Sequence, residues 1–222
     1  MAISKFNYNS FNVTPVAGSA LSFNSDADGF STAVAGSMTL IKTVTASSSS
    51  NVTFVHGTSS VVFDNTYSLY LFKFINLHPA TNQAEFEMNL TADGSNYNIT
   101  KTTTFFTAYN YEAGASAGLG YTTSRDLAQG TGDARMSSEI ENGNDSGLSG
   151  EMYIFNPSST TFVKHFFSKV SGTNDPGSGA WSHVDYMSGY GNTTSAITGA
   201  RFDYSSGNID SGTIKLYGIK DS

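Results

Sequence analysis

At 222 residues, with 38% hydrophobic and 13% aromatic residues, the chain can bury the core of one domain. Charged residues make up only 13%, the net charge is −7, and the 11 lysines and arginines are scattered, which argues against a nucleic-acid partner that requires clustered cations. Without cysteine there is no disulfide, thiol nucleophile or cysteine-ligated zinc, and no apolar run reaches the ~18 residues of a membrane helix.

Residues 1–37 mix isolated aromatics with Asn, Ser and Gly and show no sustained period. They are predicted to form an extended N-terminal arm, with Phe6, Phe11, Phe23 and Phe30 spaced to dock on another surface, such as a neighbouring subunit. The opening MAISKFNYNSFNVTP has no apolar segment of the kind that marks a secretory signal, so synthesis as a soluble cytoplasmic chain is expected. NSDADG places Asn24, Asp26 and Asp28 ahead of Gly29 as a calcium loop would, but Ala35 stands where the closing acid belongs, and an Asx turn is the expected outcome.

Residues 38–222 read as a β-sandwich domain. Strand signals begin at MTLIKTVTA (38–46) and resume after the serine loop 47–50 in NVTFVHG and SVVFD. SLYLFKFINLH (68–78) is apolar on both faces, with Leu69, Leu71, Lys73 and Ile75 on one and Tyr70, Phe72, Phe74 and Asn76 on the other, and is predicted to be central and covered twice. AEFEMNLTADG sends Phe86, Met88 and Leu90 inward and Glu85, Glu87 and Asn89 outward, and a turn at ADGSN predicts a hairpin with YNITKTTTFFTAYNYE. Residues 113–148 look irregular, with a helical turn at SRDLAQ. Strands then resume at LSGEMYIFNP, TTFVKHFFSKVSG, AWSHVDYMSGYGN, AITGARFDYSS and GTIKLYGIK; the last two are predicted to pair, with Phe202, Ile214 and Leu216 towards the core. Nine to eleven short strands separated by turns give an all-β, antiparallel sandwich of jelly-roll type.

Chemistry-bearing patterns are sparse. GASAG (114–118) matches a nucleophile elbow and offers Ser116, with His165 or His183 as partners, but no helix follows. His56, His78, His165 and His183 show no metal-ligand spacing. The loop acids Asp126, Asp133, Glu139, Glu141 and Asp145 are expected to be solvated, although a glycosidase pair would need only two of them across a cleft. Trp181, with Tyr186 and Tyr190, is the candidate glycan or receptor platform; its alternative role is to cap the core. No catalytic residue, metal or cofactor is predicted.

Four stretches carry a family likeness: MTLIKTVTASSSSNVTF (38–54), YLFKFINLHPATNQAEFEMNLTADGSNYNITKTTTFF (70–106), IFNPSSTTFVKHF (154–166) and GNTTSAITGARFDYSSGNIDSGTIKLYGIK (191–220). Together they resemble a family of tailed-bacteriophage virion structural proteins, common in marine and cyanobacterial phages. The resemblance implies a non-enzymatic tail-fibre, baseplate or other appendage protein, assembled in the host cytoplasm as a homotrimer or symmetric ring with other virion proteins, and in reach of a host-surface glycan. A capsid decoration protein, a lectin-like receptor-binding module and a depolymerase are the alternatives. No site residues follow from the resemblance.

Overall fold

The structure, a computed structural model, describes residues 21–23, 30–32, 37–114, 116–175, 177 and 179–220. Its contacts divide the chain into two units, residues 1–39 and 40–222. In the first, β1 (Leu21–Phe23) pairs antiparallel with β2 (Phe30–Thr32), with Phe23 opposite Phe30. The segment read as an extended arm thus includes this short strand pair. Phe6, Phe11 and the NSDADG stretch lie outside the described residues.

The rest of the chain is strand after strand, with no helix among the described residues. In order these are β3 (Met38–Ser49), β4 (Val52–Val55), β5 (Leu69–Pro79), β6 (Ala84–Thr91), β7 (Lys101–Tyr111), β8 (Ala117–Tyr121), β9 (Ala134–Ile140), β10 (Gly147–Phe155), β11 (Lys164–Asn174), β12 (Trp181–Gly191), β13 (Gly199–Tyr204) and β14 (Ile209–Ile219). Eight of them form one sheet in the order β3-β14-β5-β10-β11-β12-β7-β8. Four form a second, β4-β13-β6-β9. The two sheets make an all-β antiparallel sandwich.

Aromatic rings join the sheets. Phe72 and Phe74 of β5 meet Phe202 of β13 at centroid distances of 4.9 and 5.2 Å. Phe54 of β4 lies 5.3 Å from Phe72, and Phe86 of β6 lies 5.1 Å from Phe74, in edge-to-face contacts. All five rings are buried, and each such ring contributes about 1.5–3 kcal/mol through burial. Val61 and Phe63 also enter this core, from a loop and not from the strand predicted at SVVFD.

Several pairings differ from expectation because alternation fixes a strand's face but not its partner. β6 and β7 do not form a hairpin: β6 lies between β13 and β9, whereas β7 lies between β12 and β8. β13 and β14 likewise belong to opposite sheets, although Phe202, Ile214 and Leu216 do reach the core. β5 is central, between β14 and β10, but its outer face is covered only in part: Leu71, flanked by Tyr153 and Tyr217 on the neighbouring strands, is buried, whereas Ile75 is exposed. Near its end β5 switches faces. Asn76 adopts a left-handed φ of 48°, the register against β14 shifts, and Leu77 takes the core position predicted for Asn76. Residues 113–148 contain two strands, β8 and β9, and residues 124–129 form no helix.

Candidate functional site

The predicted aromatic platform does not assemble. Trp181, on the inner side of β12, stacks on Tyr111 at 6.1 Å and meets Tyr109 edge-on at 5.8 Å and His183 at 4.9 Å. Tyr186 and Tyr190 sit on the other side of the same strand, an odd number of residues away. Tyr186 stacks on Phe106 at 4.8 Å beneath Lys169. Tyr190 accepts a hydrogen bond from Gln129 and packs near His165.

Nor does the elbow pattern form a triad. Ser116 lies in the tight connection from β7 to β8, where its carbonyl accepts the Tyr111 N–H, and no strand-to-helix turn is present. His165 is exposed on the outer face. His183 is buried, its Nδ1 2.8 Å from Asp185 Oδ2. The Asp185 carboxylate accepts hydrogen bonds from the Thr107 hydroxyl at 2.6 Å and from the Ser138 amide and hydroxyl at 2.6 and 3.0 Å. Thr107 and Asp185 belong to the large sheet and Ser138 to β9 of the small one, so the group is a buried polar clasp between sheets. The other histidines make local contacts: His56 Nδ1 accepts the Phe63 N–H at 3.0 Å, and His78 Nε2 donates to the Gly143 carbonyl at 3.0 Å.

The acids expected to be solvated are mostly engaged. Asp126 accepts the Tyr121 hydroxyl at 2.5 Å. Glu141 is buried, and desolvation raises its carboxyl above the usual range. Asp133 and Glu139 join a network on the outer face of the small sheet that uses all three arginines of the chain. Arg201 bridges Asp133 at 2.6 Å and Asp203 at 2.9 Å. Arg135 bridges Glu85 at 2.9 Å and also Glu87, while Arg125 reaches Glu85 at 2.5 Å and Glu139 at 3.6 Å. Glu87, Asp133 and Asp203 converge within 4.8 Å, but Arg135 and Arg201 already supply the countercharge, so the group reads as a salt-bridge network. Burial pushes Asp203 up to about 6 despite Arg201, and pulls Lys101, bound to Asn89 and to the Ile99 carbonyl, down to about 8.

Two features remain open to solvent. One is the outer face of the large sheet, where Tyr121, Phe106 and Tyr186 lie in cross-strand register and Tyr153 and Phe155 stack on Phe167 at 4.8 and 5.9 Å. It ends at the free edge of β8, where Leu119 is 72% exposed. The other is a polar cleft of about 640 Å³ across β14, β5, β10 and β11, lined by Asn76, Asp145, Ser149, Ser171, Thr173 and Asp210 among others. His78 also lines it, and of the lining residues only His78 and Asp145 stand out as candidates from sequence. The signal for the rest was available: Asn76 in an apolar strand, and Gly147 and Gly212 at strand interruptions, mark bulges.

The chain matches no family model, no curated protein and no solved structure.

Proposed function

We propose that the chain is a non-enzymatic structural component of a bacteriophage virion: a tail-fibre, baseplate or other appendage protein, assembled in the host cytoplasm as a homotrimer or symmetric ring. Strand order carries this reading. Set aside the inserted pairs β7–β8 and β11–β12, and eight strands remain. Numbered along the chain, they lie 1-8-3-6 in one sheet and 2-7-4-5 in the other. We read this winding as a jelly roll, an architecture of viral capsid and lectin domains. Because a fold hosts many functions, the phage assignment rests equally on the family resemblance of the four stretches within residues 38–220. The inserted pairs widen one sheet into a broad face with exposed Phe106, Tyr121, Phe155 and Phe167, the kind of surface a subunit presents to its neighbours.

Gold-labelled antibody against the chain, applied to purified particles, tests the proposal. Label on the tail or an appendage supports it. Label spread over the shell identifies a decoration protein instead, and particles free of label contradict both.

A further inference from the structure

The outer face of a β-sheet is ordinarily convex or flat, and a hollow of this size on it needs a cause. Here three neighbouring strands are irregular at one level. β5 and β14 shift register between Ile209 and Thr213, β5 and β10 shift between Leu148 and Gly150, and Asn76 holds its left-handed φ between them. Bulges bend a sheet and redirect side chains, and they gather beside functional sites. The wall is fixed as well: His78 Nε2 donates to the Gly143 carbonyl, and the Thr173 hydroxyl donates to the Asp145 carbonyl at 3.3 Å.

The groups aimed into this space form a particular set. The Asn76 N–H donates to Ser149 Oγ at 3.0 Å, and the Ser149 hydroxyl faces Asn76 Oδ1 at 3.4 Å, which leaves the Asn76 amide nitrogen free to donate outward. The Asp145 and Asp210 carboxylates can only accept. Ser149, Ser171 and Thr173 carry hydroxyls that can do both. A ligand that satisfies closely spaced donors, acceptors and two-way hydroxyls must itself carry many groups that both donate and accept. Sugars do. Two carboxylates and neither arginine nor lysine in the lining, with His78 Nδ1 turned to Asp210 Oδ2 at 3.6 Å, disfavour an acidic sugar. The volume has room for more than one ring; a smaller hollow of about 240 Å³ beside it shares Ser149 and Ser171 but is lined also by Lys73, Lys169 and Glu151, and is not part of the neutral site.

We propose that this cleft is a binding site for neutral oligosaccharides. It is distinct from the aromatic positions around Trp181, and it does not depend on where the protein resides. No Phe, Tyr or Trp ring lines it, so a single site should bind on the order of millimolar, and repetition of the subunit in an assembly would multiply that affinity without new contacts.

The test is a titration of the ¹⁵N-labelled full chain by NMR, with maltotriose and triacetylchitotriose as neutral probes and trigalacturonate as the acidic one. At least one neutral probe should give saturable shifts confined to residues 76–78, 144–149, 171–173 and 210–211. Trigalacturonate should give none there. Asn76→Gly tolerates the left-handed backbone while removing the amide, and should weaken binding about tenfold. Asp210→Asn removes one of the two negative charges and a carboxylate acceptor, and should weaken neutral binding severalfold while admitting the acidic probe. Three results would overturn the proposal: no cleft shifts from either neutral probe at tens of millimolar, shifts centred on Trp181 instead, or equal binding of the acidic probe by the unaltered chain.

Discussion

Asp203 and Lys101 show what it costs to cover the polar face of a sheet. Both are charged groups forced out of water, and each has its titration moved towards the neutral form. The signs differ in consequence. Asp203 is raised from 3.8 to about 6, so the stability linked to its proton is complete below pH 3.8 and lost as pH rises through about 6. Lys101 is lowered from 10.5 to about 8, so the stability linked to its neutral form is present above pH 10.5 and lost as pH falls through about 8. Urea unfolding of the native chain, compared with Asp203→Asn, should show a difference that grows between pH 4 and 6 and reaches up to about 3 kcal/mol. Comparison with Lys101→Met should show a difference that changes only above pH 8. A flat difference in either case would contradict the burial argument. In the core, Phe202 touches rings from both sheets, and Phe202→Ala should cost about 3–5 kcal/mol.

At the level of elements, β14 has the most to lose. It is paired on both sides, by β3 and β5, and Ile214 and Leu216 are fully buried. A β-carbon at Gly218 would overlap the Tyr67 ring, so this glycine marks a close approach. Deleting residues 213–222 should leave insoluble protein, and a soluble truncation that unfolds cooperatively would contradict the role given to the strand. The free edge of β8 predicts the reverse: Leu119→Lys should change stability by no more than about 0.5 kcal/mol while reducing self-association in sedimentation. Alternation in AEFEMNL and ARFDY made the faces of β6 and β13 legible in sequence, and their turns too, as in Asp93 accepting the Ser95 and Asn96 amides. It could not tell which sheet a strand joins, because crossing between sheets and folding back in a hairpin use the same turn residues. β9 escaped notice because Ser137 and Ser138 interrupt its apolar alternation, and β8 because two of its five residues are glycine. The aromatic trio failed on parity that was legible: Trp181 and Tyr186 differ by an odd number and must face opposite ways on one strand. The salt-bridge network was not legible, since Arg125 and Asp133 reach it from loops.

For the whole molecule, the charge distribution and the open face point the same way. All three arginines are spent inside the subunit, and the net charge of −7 keeps it soluble while apolar groups remain uncovered on the broad sheet. A symmetric assembly would cover part of that face and place several clefts on one particle. Light scattering should therefore give a small integer multiple of 23.6 kDa, three being the expected value, and a monomer at micromolar concentration would argue against self-assembly. The central claim, that this sandwich is a part of a virion, is tested most directly by an electron cryo-microscopy map of the purified particle. The account predicts a repeated density at the tail or an appendage into which the eight- and four-stranded sheets fit. Particles complete at that resolution, with no density that accepts this fold, would contradict it.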